Sequence, residues 1–319
     1  MTSRNAGSSD LVVTTRSEAP GLAGNKTSDE PFGNRSSGRQ GWKKPTISDC
    51  ERVCALLAGV HGGMPVRPKR LPGATEEGEE EEESRLLLAR ECGEVGDVLD
   101  GLVRTILSQH TSRANSVRAK QALDQRFGTG NYHAIRLAPV SAITQVLQHA
   151  RAGLAPSKSA TIHALLTHIH QSIDPALSLE FLRSLPDAQA METLLSFKGV
   201  GPKTASCVML FCLGRNFFPV DTHVFRMTRA LDWLAPSATR ESAFKHLNQA
   251  VPDHLKYPLH MLLFQHARSC RACKRIIISK PDPHRALSTG KQKLDADRKQ
   301  SQIRPDRKPS PVCPLAELL

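Results

Sequence analysis

Apolar residues recur at helical spacing along the middle of the chain, between Asp97 and His266. The first such segment carries apolar residues on one helix face, at Val98, Leu99, Leu102, Val103, Ile106 and Leu107. The same spacing predicts further helices over residues 116–127, 140–149, 158–172 and 179–183. The short run 216–220 is the exception, because its pattern predicts a strand. The pattern as a whole predicts an all-α domain.

A shorter amphipathic segment precedes this region. Its apolar residues share one helix face, at Val53, Leu56, Leu57 and Val60. Ser48 or Asp49 is in position to cap the N-terminus of this helix, and the pair Gly62-Gly63 ends it. We therefore place the helical domain at residues 46–274, with a linker over residues 65–92.

Polar segments without a hydrophobic period flank the helical domain. Residues 1–45 predict a disordered N-terminal tail, and residues 275–319, which are basic and contain proline, predict a disordered C-terminal tail. The linker holds an acidic run from Glu76 to Glu83. A solvated linker is the simpler interpretation of that run, and an autoinhibitory mimic of DNA is the alternative.

The charge balance favours an anionic partner. Lys and Arg number 43 against 31 Asp and Glu, which gives a formal net charge of +12. Nucleic acid is the commonest anionic partner of a basic protein. Aromatic residues make up only 4% of the chain, which argues against a sheet that stacks several bases. Together these features favour nucleic acid as the partner and disfavour a binder of single strands that stacks bases on a sheet.

Composition also indicates the compartment. Eight cysteines are too sparse for a disulfide framework, and no apolar run approaches the ~20 residues of a membrane helix. We expect a soluble intracellular protein that does not contact a membrane. The polar tails and the basic segments at Lys43-Lys44 and Arg304–Lys308 favour the nucleus, with the mitochondrion as an open alternative.

A Gly-Val-Gly turn lies between two predicted helices. Gly199 and Gly201 permit a tight turn and close approach of a phosphate, and Pro202 suits the first position of the next helix. The free N–H groups of such a turn form an anion site, which would make a sequence-independent DNA anchor. A plain turn between two packed helices is the alternative.

Two reactive side chains follow the turn, and each also has a structural interpretation. Lys203 could be an ordinary surface lysine in the first turn of a helix. Asp221 precedes the segment 222–230 and could serve only as its N-cap. From the residues alone, both interpretations stay open.

The hairpin and its continuation resemble the helix-hairpin-helix DNA glycosylase superfamily, and within it the endonuclease III branch. The family hairpin reads approximately LPGVGxKTA, against the residues Phe197 to Ala205 here, and its VDTHxxR is matched by Val220 to Arg226. Phe197 and Lys198 depart from the family pattern without changing either glycine of the turn. The resemblance extends more weakly over residues 97–273.

This resemblance implies a fold of two helical subdomains with the active site in the cleft between them. The first would span about residues 100–215, and the second would combine residues 46–64 with about 216–274. It also implies an enzyme in which Lys203 is the nucleophile and Asp221 its catalytic partner. Gln109, in a segment similar to the family's LLSxQxT, would fill the gap left by a flipped base. The implied DNA contacts are Gln109, His110, Lys198, Gly199, Val200, Gly201, Thr204 and Arg226.

The function implied is base excision. We expect a monomeric DNA N-glycosylase with AP-lyase activity, acting on double-stranded DNA with a damaged base. An oxidised pyrimidine is the lesion that the branch implies, and 8-oxoguanine or a mismatched base stays open. A non-catalytic protein that uses the hairpin only as an anchor is the alternative from a different class.

The family's iron–sulfur motif is incomplete. Endonuclease III typically carries Cys-x6-Cys-x2-Cys-x5-Cys, whereas this chain continues from Cys270 through Cys273 to Cys313. A complete cluster needs four thiolate ligands. We therefore expect no metal and no cofactor, with the cysteines as remnants of a lost cluster. A zinc site that uses Cys270, Cys273, Cys313 and His266 is the alternative.

Overall fold

The computed structural model describes residues 42–67, 96–273 and 313–319, and within these ranges its regular structure is entirely helical. The helices are α1 (Ile47–Val60), α2 (Val98–Ser108), α3 (Arg113–Phe127), α4 (Tyr132–Leu137), α5 (Val140–His149), α6 (Ala155–Ser172), α7 (Asp187–Ser196), α8 (Pro202–Cys207), α9 (Thr222–Ala230), α10 (Arg240–Ala250) and α11 (Asp253–Ser269). A 3₁₀ turn spans Glu180–Arg183, and a π-helical turn over Val208–Cys212 continues α8. The predicted all-α fold is confirmed.

Side-chain caps explain where several of these helices begin. Asp97 caps α2 by accepting a hydrogen bond from the Asp100 N–H at 2.6 Å, and Ser112 caps α3 in the same way. At the start of α1 the predicted caps are wrong. Thr46 is the N-cap, and Asp49 is the third helical residue, which completes a capping box with it.

The helices pack in two groups around a large apolar core, and a second, smaller apolar cluster lies between α8, its π-helical continuation and α11. Helices α2 to α8 pack mainly against one another, whereas α1 and α9 both pack against α11. The predicted limits of two subdomains agree in outline with this grouping and stay a prediction. The start of α8 and the start of α9 carry the two predicted reactive residues, one in each group.

The strand expected over residues 216–220 is wrong. These residues form no regular structure, and their apolar side chains are buried because they fill space between helices. The Phe218 N–H donates to Asn248 Oδ1 at 2.9 Å, and the Lys256 ammonium donates to the Asn216 carbonyl at 2.9 Å. Side chains of α10 and α11 thus satisfy backbone groups that a sheet would otherwise pair.

Some residues of the segments predicted as disordered tails pack on the domain. Residues 42–45 pack on the domain, since the Trp42 indole N–H donates to the Asp232 carbonyl and His246 donates to the Lys44 carbonyl. Residues 313–319 form a series of turns in which Leu315 is fully buried. In the linker, Arg67 donates to the Gly214 carbonyl. These contacts correct the predicted boundaries.

The remaining predictions for these segments lie outside the described residues. They concern the tail over residues 1–41, the linker over 68–92 with its acidic run, and the segment 274–312 with its basic residues 304–308. Among the helices that the structure describes, none combines the length and the apolar character needed to cross a bilayer.

Candidate active site

Gly199 is required by the geometry of the hairpin. Its φ is +85°, and a Cβ at this position would lie 2.7 Å from Cγ2 of Thr161 on α6. The turn is closed by the Val200 N–H, which donates to the Phe197 carbonyl at 3.0 Å. Gly201 differs, because its φ is negative and no atom lies within 4 Å of a Cβ placed there. Nothing within the described protein therefore requires glycine at position 201.

Alanine at these two glycines is expected to have different effects on stability. Gly199→Ala combines left-handed backbone strain with an overlap against Thr161, and should cost about 1–3 kcal/mol of unfolding free energy. Gly201→Ala should stay within about 0.5 kcal/mol of the parent protein. Urea unfolding of both variants checks this, and equal destabilisation would contradict the hairpin geometry.

Lys203 and Asp221 approach the same buried side chains. Lys203 lies in the first turn of α8 and is half-buried, and Asp221 is the half-buried N-cap of α9. Burial raises the pKa of the Cys207 thiol, which the Lys203 ammonium opposes and the Asp221 carboxylate reinforces. The same two charges act on His260. The charges of Lys203 and Asp221 therefore both act on Cys207 and His260, and the catalytic roles of the pair stay a prediction.

Asp221 is held by the helix that it caps. Its Oδ1 accepts a hydrogen bond from the Val224 N–H at 2.7 Å, so the cap interpretation is confirmed. A cap of this kind uses one carboxylate oxygen and fixes the orientation of the whole group. The capping role and a chemical role are therefore compatible in one side chain.

His260 is a buried residue of α11 that the sequence did not single out. Its Nδ1–H donates to the Pro219 carbonyl at 3.0 Å, two residues before Asp221. Burial lowers the pKa of His260 to about 4. The positive charge of Lys203 also lowers this pKa, whereas the negative charge of Asp221 raises it. His260 is therefore neutral at physiological pH and anchors the backbone that leads into Asp221.

The loop after α2 is tied to the hairpin. Gln109 donates from Nε2 to Thr204 Oγ1 at 3.0 Å and to the Gly199 carbonyl at 3.4 Å. The buried Lys158 donates to the Leu107 carbonyl at 2.6 Å, and burial lowers the pKa of this lysine to about 8. These contacts hold Gln109 next to the hairpin.

Gly153, just before α6, allows close packing against the loop that follows α2. A Cβ on Gly153 would lie 2.6 Å from the His110 carbonyl oxygen. The next residue, Leu154, has a φ of +59° and is 56% exposed. Leu154 could not be singled out from the sequence, because an apolar residue at a helix start is usually buried. In the structure it is an exposed apolar side chain that directly follows Gly153.

Two of the predicted DNA contacts are buried. The side chain of Val200 packs in the core, and its N–H is used within the turn. Thr204 is also buried and accepts the Gln109 hydrogen bond, so its hydroxyl positions Gln109. Neither side chain is open to DNA, and the role of both residues in DNA binding stays a prediction. The other predicted contacts are accessible, since His110, Lys198, Gly199 and Gly201 are exposed and Gln109 and Arg226 are half-buried.

Aromatic and basic side chains of α11 lie close to the first turn of α9. The half-buried Phe264 ring stacks on His260 at 6.3 Å and meets His223 edge-on at 5.7 Å. The Arg268 guanidinium lies 5.1 Å from the Phe264 ring centre. Burial lowers the pKa of Arg113, at the start of α3, and the charge of Arg268 lowers it further. The side chains of Arg113 and Arg268, which belong to different helix groups, thus lie near each other.

The three cysteines that the sequence left as weak metal candidates come together with His266. Their ligand atoms all lie within 4.8 Å of one another. Cys313 lies 40 residues beyond Cys273, so local spacing gives no sign of this group.

Comparison with known proteins identifies the family. Residues 103–253 match the model of the HhH-GPD superfamily base excision DNA repair proteins. An Arabidopsis thaliana protein provisionally named a DNA glycosylase is 37% identical over 239 residues, which cover 73% of this chain and 79% of that protein. Endonuclease III of Sulfolobus acidocaldarius is 28% identical over 58% of this chain and 79% of its own length.

A further relative shares a smaller region. The DNA glycosylase/AP lyase ROS1 of Arabidopsis thaliana is 35% identical over 127 residues, which are 39% of this chain and 9% of that protein. The predicted resemblance is confirmed by these matches. The chain belongs to the HhH-GPD superfamily of base excision DNA repair proteins, as a DNA glycosylase of that family.

Proposed function

We propose that this protein is a bifunctional DNA glycosylase and AP lyase that removes oxidised pyrimidines from double-stranded DNA. The observation that carries the proposal is that Lys203, at the start of α8, and Asp221, the N-cap of α9, both act electrostatically on the buried Cys207 and His260. An amine beside a carboxylate is the pairing that a Schiff-base mechanism requires. The relative named a DNA glycosylase/AP lyase supports the same chemistry.

The reaction begins with attack of the neutral Lys203 amine on C1′ of the damaged nucleotide. The N–C1′ bond forms while the glycosidic bond breaks, and its electron pair leaves with the base, which then takes up a proton. The carboxylate of Asp221 accepts the proton that the amine loses and stabilises positive charge on the sugar. The sugar ring opens to give a Schiff base between Lys203 and C1′.

Strand cleavage follows from that Schiff base. The iminium group acidifies the C2′ hydrogen, and loss of this proton expels the 3′ phosphate oxygen by β-elimination. The products are an unsaturated aldehyde on one strand end and a phosphate on the other. Hydrolysis of the imine returns Lys203 to its free form.

Duplex DNA is bound through the hairpin in this proposal. Gly201 is exposed and has open space around its Cα, so a phosphate can approach the backbone there. Gly201→Ala should weaken binding to undamaged duplex about tenfold, the loss of one charge-assisted hydrogen bond of ~1.5 kcal/mol. Gly201→Ala is not expected to change the stability of the protein, so a loss of affinity would report DNA binding alone. Unchanged affinity for duplex DNA would argue against a DNA anchor at the hairpin.

Gln109 and Leu154 are proposed to occupy the duplex when the damaged base is flipped out. Gln109 lies at the hairpin, and the exposed Leu154 follows Gly153, which packs against the His110 carbonyl. The two loops can therefore supply an amide and an apolar side chain that inserts between bases. Arg113 and Arg268 then face phosphates of the damaged strand. Flipping costs a few kcal/mol of stacking, and this pair offsets part of that cost.

Replacing Gln109 with Ala should slow excision of a paired lesion about tenfold, which corresponds to ~1.4 kcal/mol of lost support for flipping. Cleavage at a preformed abasic site is the matched control, because no base has to leave the stack there. A single-turnover assay of both substrates checks this. An equal loss on both would assign Gln109 to general binding.

Borohydride trapping tests the proposed function. The protein is incubated with duplexes that carry an oxidised pyrimidine, 8-oxoguanine or a mismatched thymine, and the imine is reduced to a stable adduct. We expect an adduct and a strand break with the oxidised pyrimidine. An adduct with another lesion would change the substrate, and binding without an adduct on any duplex would favour a non-catalytic protein.

Nuclear location and a monomeric state stay predictions. The basic pair Lys43-Lys44 lies at an exposed edge of the described domain, as a nuclear import signal requires. Imaging of the tagged full chain in cells checks location, and sedimentation in solution checks the monomer.

A further inference from the structure

Four side chains from two distant parts of the chain converge at the end of α11. His266 lies in the last turn of that helix, Cys270 and Cys273 follow it, and Cys313 returns from the C-terminal segment. The Cys273 sulfur lies 3.3 Å from Nε2 of His266 and 3.4 Å from the Cys313 sulfur. The third measured pair, Cys313 Sγ to His266 Nε2, is 3.5 Å apart.

These separations suit a single metal ion. Zinc in a tetrahedral site binds sulfur at about 2.3 Å and imidazole nitrogen at about 2.0 Å, which places neighbouring ligand atoms about 3.5–3.8 Å apart. All four ligand atoms here lie within 4.8 Å of one another. A small closure of the side chains around one ion completes that geometry.

The iron–sulfur cluster of the resembling family does not fit this group. In a [4Fe–4S] cluster each thiolate binds a different iron, so the four sulfurs lie farther apart than ligands that share one ion. The group here is compact, and histidine takes the place of one thiolate. Thiolate and imidazole donors in a closed four-ligand site are the set that zinc prefers.

A second histidine orients the ligand histidine. Nε2 of His61, at the end of α1, lies 2.9 Å from Nδ1 of His266. When the Nδ1–H of His266 donates to His61, the lone pair of His266 Nε2 points toward the cysteines. Histidines that bind metals are typically held by an outer hydrogen bond of this kind.

The C-terminal segment is built around the same group. Leu315 is fully buried in the core, and Cys313 is buried beside Cys273. The segment 313–319 has no helix or strand of its own to hold it in place. A bond between Cys313 and an ion shared with α11 would supply the missing anchor.

We propose that His266, Cys270, Cys273 and Cys313 bind one zinc ion in a closed structural site that takes the place of the family's iron–sulfur cluster. The site joins three parts of the chain: α11, the C-terminal segment and, through His61, α1. Its role is to hold α11, the helix whose His260 supports the backbone before Asp221. The inference does not depend on the proposed reaction, because its readout is metal binding.

Metal analysis of the full chain, produced without a metal-binding tag, is the first test. We expect one zinc per chain and no acid-labile sulfide. X-ray absorption at the zinc edge should show three sulfur ligands at about 2.3 Å and one nitrogen at about 2.0 Å. Stoichiometric iron with sulfide would overturn the proposal, and so would a chain that takes up neither zinc nor cobalt.

Two variants locate the site. Cys313→Ser should weaken zinc binding by more than about a hundredfold, and His61→Leu by about 10- to 100-fold, as the loss of an outer hydrogen bond does. Cys54→Ala, a buried cysteine of α1 outside the group, is the matched control and should keep the parent affinity. Parent affinity in Cys313→Ser would overturn the assignment.

Should Cys313→Ser fail to fold, cobalt binding to the unaltered chain decides the matter. Three thiolates around a tetrahedral cobalt ion give sulfur-to-metal charge-transfer bands together with strong ligand-field bands. An octahedral spectrum without sulfur bands would contradict the proposed ligand set.

Discussion

Replacement of Lys203 by Gln is expected to reduce borohydride-trapped adduct to background. The Schiff base needs a primary amine at this position, and an amide cannot form it. Base removal should fall on the order of 10⁴-fold or more, as is typical when a nucleophile is lost. Gln is close to Lys in length, and the position is half-buried, so stability should change by less than about 1 kcal/mol. Gel analysis of reduced reactions measures the adduct.

Lys198→Gln is the matched control for this change. Lys198 is an exposed lysine of the same hairpin, five positions before Lys203. Each substitution removes one positive charge near DNA, and each should reduce the salt dependence of binding by about 0.9 in log–log slope if the lysine contacts a phosphate. Adduct should persist in Lys198→Gln alone. Loss of adduct in both variants would mean that charge, not the amine, was being measured.

Asp221→Asn is expected to slow base removal by about 10²- to 10⁴-fold, the usual contribution of a positioned acid–base group. The change separates the two roles of this residue. Asn caps helices as well as Asp does, so the hydrogen bond from Val224 can remain while the negative charge is lost. Single-turnover kinetics, with circular dichroism to confirm the fold, measures the chemical role.

Asp221→Ala completes the comparison. It removes both the charge and the cap. The rate of base removal should fall as far as in Asp221→Asn, and the free energy of unfolding should fall by about 1 kcal/mol in addition. If Asn restored full activity while Ala did not, Asp221 would act only as a cap, and the catalytic assignment would be wrong.

The sequence carried most of the information on the helices that have a clear apolar period. The segment 140–149 is observed as α5 with the predicted limits, and α9 follows Asp221 as expected. The sequence was less informative for short helices, which contain too few apolar residues to show a helical period. Helix α4 has six residues, and α10 buries only Ala243, Phe244 and Leu247, so neither was singled out as a helix. Such segments owe their structure mainly to packing.

The reactive pair could be predicted because its residues lie in two local motifs. Its surroundings could not be predicted in the same way. His260 meets Pro219 and Phe264 meets His223 only because α11 packs on α9. Gln109 meets Thr204 across 95 positions of sequence. The proposed zinc ligands include Cys313, which lies 40 residues away from Cys273. Contacts between residues so far apart in sequence depend on the tertiary fold, and no local sequence pattern predicts them.

The central claim is that the amine of Lys203 forms the covalent bond to DNA. Digestion of the borohydride-reduced complex with protease and nuclease, followed by mass spectrometry of the modified peptide, tests it most directly. The account predicts one sugar-modified residue, Lys203. Modification of Lys198, of Lys158 or of the N-terminal amine, with Lys203 unmodified, would contradict it.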